Sequence, residues 1–368
     1  MPVRILHVLG GLGHGGAESM VMNLYRYIDR QKVQFDFVIY EDGKLDYYDE
    51  IISLGGKVFK SPHYNGVNTF EYIKFWNNFL SSHQEYSVIH GHVRSTASIY
   101  LSIAKKMGRK TIAHSHSTSN GKGISALGKK LLQYPIRFIS DYQMACSMSA
   151  GKWLFGEKVL KSKTFLIINN AIDAEKFKFS ADIRAKKKKE LGFKDQFVLC
   201  NVGRLVYPKN HEFILSIFEA LLLRCPEAVL LLVGEGDLEM TLKQKVKEKG
   251  LEDRVFFLGD RSDISEILNA ADVFLFPSLY EGLGIVAVEA QAAALMTICS
   301  DKIPQEVFIT PYIQSISLLE TEKTWIDAIL KYREGYEREN CAEIIKQAGY
   351  DIGSTADKMQ KFYVNLNS

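Results

Sequence analysis

The chain has 368 residues, of which 46% are hydrophobic and 24% charged, a balance that excludes a disordered or collagen-like protein. At roughly 150 residues per domain the length favours two domains. Lysine and arginine exceed aspartate and glutamate by 46 to 43, so the total charge says little, but its distribution says more.

Residues 1–172 hold 21 basic against 12 acidic residues, a net of +9, and the remainder holds 25 against 31, a net of −6. Between Ile103 and Ser140 stand Lys105, Lys106, Arg109, Lys110, Lys122, Lys129, Lys130 and Arg137 with no acidic residue among them. Such asymmetry suggests that the first half meets something anionic: a membrane surface, a phosphorylated acceptor or nucleic acid. No apolar run approaches the roughly 18 to 20 residues that span a bilayer. The start, Met-Pro-Val-Arg-Ile-Leu, has neither the basic region nor the cleavage site of a signal peptide. Cys146, Cys200, Cys225, Cys299 and Cys341 are scattered and odd in number, which reads as reduced core cysteines of a cytoplasmic protein.

In chain order, short β-branched runs alternate with helical patterns. Strands are expected at Arg4 to Leu9, Phe35 to Ile39, Lys57 to Phe59, Val88 to His90, Thr111 to Ala113, Tyr142 to Cys146 and Phe165 to Ile168, with helices such as Ala17 to Ile28 and Thr69 to Leu80 between them. The pattern restarts with strands at Phe197 to Val202, Ala228 to Val233, Val255 to Leu258, Val273 to Phe276 and Thr297 to Cys299. Continuous apolar strands separated by helices predict parallel sheets covered on both faces. The expected architecture is α/β, with two Rossmann-like doubly wound domains: 1–172, 173–345, and a helix over 346–368 packing back towards the first. Two such domains facing across a cleft place ligands at the C-terminal ends of their strands. The run Lys186 to Lys189 reads as a solvated helical face without function.

The loop Gly11-Leu-Gly13-His-Gly15-Gly16 follows the first strand and opens a helix, so it satisfies G-x-G-x-x-G in context. Glycines and a helix N-terminus point to an anion. The anion is open: a dinucleotide with Glu41 or Asp42 on its ribose, another phosphate ligand, or none, if the turn is structural. In the second half, Gly203-Arg204-Leu-Val-Tyr-Pro-Lys209 brings two cations to the C-terminal edge of a strand, a pair suited to a diphosphate. Downstream, Pro277-Ser-Leu-Tyr-Glu281-Gly282-Leu283-Gly284-Ile285-Val-Ala-Val-Glu289 sets two carboxylates eight residues apart around a glycine-opened helix. Such carboxylates can accept hydrogen bonds from a polyhydroxylated ligand. A glycosidase acid and nucleophile is conceivable for the pair, but nothing else in the chain supports it.

With Gly15-Gly16-Ala-Glu18, Val233-Gly-Glu-Gly236, Leu258-Gly-Asp-Arg261 and Pro304-Gln-Glu306, these segments resemble retaining glycosyltransferases of the GT-B fold, family 4. The likeness runs in order along nearly the whole chain. It is strongest towards bacterial enzymes of exopolysaccharide or capsule assembly, which share the Glu-Ala-Gln-Ala-Ala wording at 289–293.

The resemblance implies that Arg204 and Lys209 neutralise the diphosphate of a nucleotide sugar, with a UDP-sugar expected. It puts Glu289 on the ribose, Glu281 on the donor sugar, and the backbone of Gly282, Leu283, Gly284 and Ile285 on sugar or phosphate. Arg261 falls in the loop expected to hold the base, and Gly15 and Gly16 close over the phosphate. His116 matches the family's active-site histidine beside the donor sugar. No Asp-x-Asp occurs, and the implied transfer retains configuration without a metal or other cofactor; His90, His92, His114 and His116 lack the acidic or thiolate company of a metal site.

The acceptor implied is a saccharide, with a lipid-diphosphate-linked one expected. Ile124, Leu127 and Leu131, at helical spacing beside Lys122, Lys129, Lys130 and Arg137, suit either an anionic membrane on its cytoplasmic side or ordinary packing. Nucleic acid fits worse, because no binding motif accompanies the charge. The chain departs from the family wording at Ala171, Ala294 and Met296, where Gly, Gly and Pro are usual. The alternatives are an NAD-dependent oxidoreductase built on the first glycine loop, a sugar-nucleotide epimerase, and a non-catalytic carbohydrate-binding protein of the same fold.

Overall fold

The computed structural model describes residues 2–13, 15–41, 45–116 and 132–367. The chain forms two compact units, one of Met1–Ala171 with Ile352–Ser368, the other of Ile172–Asp351.

The first unit is a seven-stranded parallel sheet: β1 (Val3–Val8), β2 (Val33–Ile39), β3 (Val58–Lys60), β4 (Tyr86–Gly91), β5 (Lys110–Ser115), β6 (Tyr142–Ala145) and β7 (Phe165–Ile167). Their spatial order is β3-β2-β1-β4-β5-β6-β7. The winding reverses between β1 and β4, and at such a reversal the loops diverge and leave a crevice at the strand ends. Successive residues feed opposite faces, as a pleated strand requires. Ile5, Phe35, Phe37, Val88 and Ile112 pack under the Gly16–Tyr27 and Ile352–Asn367 helices. Leu6, Val38, Ile89 and Ala113 pack under the Thr69–Ser82 and Ala97–Lys106 helices. Both faces are therefore dry, which is why these strands read as unbroken apolar runs.

The second unit is a six-stranded parallel sheet of β8 (Val198–Val202), β9 (Val229–Val233), β10 (Val255–Gly259), β11 (Val273–Phe276), β12 (Met296–Ser300) and β13 (Ile313–Ile316), ordered β10-β9-β8-β11-β12-β13. Here the winding reverses between β8 and β11. Each of the twelve expected strands is present. The thirteenth, β13, is the addition: Ile-Gln-Ser-Ile is short, half polar and lies at the sheet edge, so it carries no run of apolar residues to announce it. The tail is two helices, Ala342–Gln347 in the second unit and Ile352–Asn367 in the first, where a single helical stretch is expected.

The lysine run is not one solvated face. Lys187, in the Ala181–Glu190 helix, is 2% exposed and bonds Asp263, Glu190 and Glu266 at 2.7, 2.9 and 2.9 Å. Burial opposes its charge, but these three carboxylates outweigh it and raise its pKa. Lys188 reaches Gln196 O at 3.1 Å and Asp272 at 3.4 Å.

Two family departures have local causes. Ala294 closes the Ile285–Ala292 helix with φ +48°; its N–H donates to Gln291 O and that of Leu295 to Ala290 O, a Schellman closure that usually takes glycine. Met296, unlike proline, keeps an N–H, which donates to Tyr336 Oη at 2.6 Å.

Candidate active site

In the second unit, the loops leaving β8 and β11 are stitched together. Leu279 N–H donates to Pro208 O at 2.8 Å and Asn210 Nδ2 to Pro277 O at 3.1 Å. Asn210 holds φ +59°, a conformation asparagine tolerates better than most residues. Asn201 anchors the strands beneath with an Nδ2 bond to Leu275 O at 2.8 Å. A third loop joins from β9, where Leu205 N–H donates to Glu235 O and Leu238 N–H to Leu205 O. The approach is close enough that a Cβ on Gly236 would lie 2.5 Å from Leu205 O.

This framework sets Lys209 against Glu281, with Nζ 2.7 Å from Oε1. Both side chains are largely buried, at 18% and 11% exposure, and the ammonium also lies 5.1 Å from the centre of the Phe276 ring. Arg204 is exposed on the same β8 loop and makes no ion pair among the described residues. The two cations differ accordingly: one is already neutralised by a carboxylate, the other faces water.

Gly284 caps the Ile285–Ala292 helix at φ +82°, a left-handed value, and its Cβ position lies 3.2 Å from Phe276. Gly282 is exposed with open space where a side chain would stand, while Leu283 is buried and Ile285 half-buried. The first N–H groups of a helix have no intrahelical acceptor, so this end can receive an oxygen. Glu289 lies one turn on, half-buried; burial raises its carboxyl to about 7, opposed by the charge of Lys176.

Arg261, after β10, is committed elsewhere. Its Nε and Nη2 grip Asp263 at 2.7 and 2.6 Å, and Asp263 also accepts from Lys187. Arg261 and Lys187 together hold the Asp263 carboxyl well below the usual range. Asn201 Oδ1, both ring nitrogens of His211 and Ser278 Oγ are buried without hydrogen-bond partners among the described residues. Asn201 lies on β8, Ser278 on the loop after β11, and His211 opens the helix that follows the β8 loop; single polar residues of this kind were too weak a signal to find them by.

In the first unit, Gly15 and Gly16 stand at the start of the Gly16–Tyr27 helix. The Glu18 carboxyl folds over the loop, 2.1 Å from where a Cβ on Gly15 would be, while Gly16 has open space at that point. Burial raises the Glu18 pKa. Glu41 approaches Gly11, its Oε2 3.2 Å from that residue's Cβ position. Asp42 and His14 lie outside the described residues, as do Lys122, Ile124, Leu127, Lys129, Lys130 and Leu131 of the amphipathic basic stretch.

His116, one residue past β5, lies in a group that also contains His7 from β1, His90 from β4, His92 one residue past β4, and His114 from β5. His7 was not among the histidines singled out from sequence; its signal is a position on β1 in register with His90. The rings stack with centroids 4.1 to 5.3 Å apart and bond one another: His7 to His92, His90 to His114, and His92 to His116, with His90 also bonded to Tyr363 Oη at 2.7 Å. His7, His90 and His92, and His92, His114 and His116, each offer three nitrogens within 4.8 Å of one another, a spacing at which a metal ion could be held. Burial lowers the pKa of all five, to about 3 for His7 and His116, so they are neutral at physiological pH.

Among the described residues no helix is long and apolar enough to cross a membrane. Two family models match, glycosyl transferases group 1 over residues 182–349 and glycosyltransferase family 4 over 14–176. The putative glycosyltransferase EpsF of Bacillus subtilis (strain 168) is 33% identical over 98% of this chain and 96% of its own. A UDP-Gal:α-D-GlcNAc-diphosphoundecaprenol α-1,3-galactosyltransferase of Escherichia coli is 23% identical over 99% and 97%. Among solved structures, HepE of Anabaena in complex with UDP and glucose aligns with a TM-score of 0.75 at 19% identity, covering 99% of this chain and 100% of that one. Its fold is the GT-B arrangement of two parallel-sheet α/β domains that the sequence pattern predicts. With a relative at 33% identity along almost its entire length, this chain belongs to the glycosyltransferases of the group 1 and family 4 type.

Proposed function

We propose that the protein transfers a sugar, with retention of configuration and without a metal or other cofactor, from a UDP-sugar to a saccharide acceptor in cell-surface polysaccharide synthesis. The observation that carries this reading is the pairing of an exposed Arg204 with a largely buried Lys209 on one loop at the reversal between β8 and β11. Two fixed cations can take up the negative charge that develops on a departing nucleoside diphosphate, the work a divalent ion does elsewhere. Glu289 accepts from the ribose hydroxyls and Glu281 from the donor sugar. The N–H groups opened by Gly282, Leu283, Gly284 and Ile285 meet sugar or phosphate oxygens. Gly15 and Gly16 contact the phosphate and His116 the donor sugar. The acceptor attacks on the face the leaving group departs, and a phosphate oxygen of that group takes the acceptor's proton, so no side chain needs to serve as base.

Arg261 takes a supporting role in this reading: its grip on Asp263 shapes the loop after β10, where the base is expected to lie. The complex of HepE with UDP and glucose, and the undecaprenyl-diphosphate substrate in the name of the galactosyltransferase, support a UDP-linked donor and a lipid-diphosphate-linked acceptor. For such an acceptor we assign the enzyme to the cytoplasm, in peripheral contact with the inner face of the cell membrane. An NAD-dependent oxidoreductase is disfavoured by the family assignment, since that chemistry has no use for the Arg204, Lys209, Glu281 and Glu289 set.

Calorimetric titration with UDP, GDP and NAD in excess EDTA tests the reading. UDP binding that survives EDTA and is lost in Arg204→Ala is the expected result. Binding of NAD with neither diphosphate would overturn it.

A further inference from the structure

At the C-terminal edge of the first sheet, the turn that leaves β4 is pinned from both sides. Tyr100 Oη donates to Val93 O and Tyr72 Oη to Thr96 Oγ, both at 3.1 Å, and Ala97 N–H donates to Arg94 O. Both tyrosines are buried, so the backbone of residues 93–96 is held from within the core. The Arg94 guanidinium lies over the ring of Trp153, 4.8 Å from its centre. Trp153 is fixed in turn. Its helix, Met148–Phe155, is capped by Ser147 Oγ, which accepts from Ala150 N–H, and Ser115 Oγ at the end of β5 donates to Ala150 O at 2.9 Å.

The turn stands where the winding reverses between β1 and β4, the place at which an open α/β sheet receives its ligand. Arg94 is half-buried there and within electrostatic reach of His116: after burial, the charge of Arg94 is what lowers the His116 pKa. Burial lowers the pKa of Arg94 itself, and the Cys146 thiol opposes that shift. Keeping a cation in a partly dry place costs free energy, which an arriving anion offsets. A guanidinium held against an aromatic face keeps its N–H groups at its rim, a fork that two oxygens of one phosphate fit.

We propose that Arg94, steadied by Trp153, binds a phosphate of the acceptor, the lipid-diphosphate-linked saccharide assigned above. The proposal rests on that reading of the acceptor. It gives the first unit a cationic phosphate contact, as Arg204 and Lys209 give one to the second, so that the diphosphates of donor and acceptor are held by different cations. The attacking hydroxyl belongs to a saccharide joined to this diphosphate. A phosphate at Arg94 therefore brings that saccharide to the neighbourhood of His116, where the donor sugar is assigned. Arg94 binds and orients; it takes no part in making or breaking a bond.

The test is calorimetric titration of the full chain with farnesyl diphosphate, a short lipid diphosphate, after saturating UDP has filled the donor site. The native protein should bind it. Arg94→Gln should weaken that binding about tenfold or more, the loss of a charge-assisted hydrogen bond, while the Kd for UDP moves by no more than about twofold. Arg94→Lys keeps the charge without the fork and should recover only part of the affinity. Trp153→Leu keeps the cation and removes its platform, so it should weaken farnesyl diphosphate about threefold; it decides the matter if Arg94→Gln does not fold. Absence of farnesyl diphosphate binding to the native protein, or binding that Arg94→Gln leaves unchanged, would overturn the proposal. So would an equal loss of UDP and farnesyl diphosphate affinity in Arg94→Gln, since the cation would then serve the donor. If UDP itself does not bind, the donor reading falls, and titration of the free protein and the same variants with farnesyl diphosphate decides this one.

Discussion

At the scale of single residues, charge satisfaction separates groups that look alike in sequence. Lys209 is held by Glu281 at 2.7 Å, so a diphosphate must compete with a carboxylate for that ammonium, whereas Arg204 has no such competitor among the described residues. Glu281→Gln should therefore tighten UDP binding severalfold while lowering kcat by about a hundredfold, measured by calorimetry and steady-state turnover. Glu289 gives a signed pH dependence. Its carboxyl is raised to about 7 by burial, above its ordinary value of 4.5. Between those values the folded state holds a proton that the unfolded state has released, so the group's contribution to stability is full in acid and is lost as pH rises through 7. Glu289→Gln is expected to raise the melting temperature at pH 8 and to leave it nearly unchanged at pH 4, while weakening nucleotide binding at both.

At the scale of elements, two helices show how local geometry overrides sequence habit. The Ile285–Ala292 helix ends on Ala294 at φ +48°, where an L side chain is strained by roughly 1 to 2 kcal/mol. Ala294→Gly removes that strain but adds freedom to the unfolded chain, so a net gain of about 0.5 to 1 kcal/mol is expected in urea denaturation. The Ala181–Glu190 helix docks through Lys187, whose ammonium is enclosed by three carboxylates. Lys187→Met should cost about 3 to 5 kcal/mol, because it leaves the charge of Asp263 partly uncompensated. The same change should loosen the grip of Arg261 on the loop after β10, which a rise in the Kd for UDP would report. Charge periodicity made this helix look wholly solvated. A run of four lysines cannot say which one turns inward, since that depends on acidic residues some 75 positions away.

For the whole molecule, the two units respond unequally to acid. The five histidines of the first unit are neutral when folded and take up protons more readily when unfolded. The unfolded state therefore binds more protons below pH 6.5, and each histidine withdraws up to about 1.4 kcal/mol of stability per pH unit as the pH falls from there. In the second unit Glu289 pulls the other way and offsets His211, whose pKa burial lowers to about 4. Calorimetry between pH 8 and pH 5 should show the transition of the first unit moving steeply down in temperature, with that of the second moving far less. The Ile352–Asn367 helix belongs to the first unit through Ile352, Ala356, Met359 and Tyr363, so Tyr363→Ala should cost about 3 to 5 kcal/mol and lower that same transition alone.

What could be read without coordinates was whatever rests on local chemistry. The alternation of apolar runs with helical periods determined two parallel-sheet units, because strands buried on both faces must be apolar throughout. The glycine and charge spacings at 203–209 and 281–289 marked the loops that carry the candidate site. Pairing across the chain lay beyond it. The short edge strand β13, the partner of Lys209, the capture of Arg261 by Asp263 and the joining of His7 to His92 and His116 each bring together residues far apart in sequence or unremarkable within it. Tertiary structure decided these because burial removes water as the alternative partner. The buried ammonium of Lys187 is then held by carboxylates and the buried imidazoles of the first unit by one another, and which partner each finds depends on strand order and register.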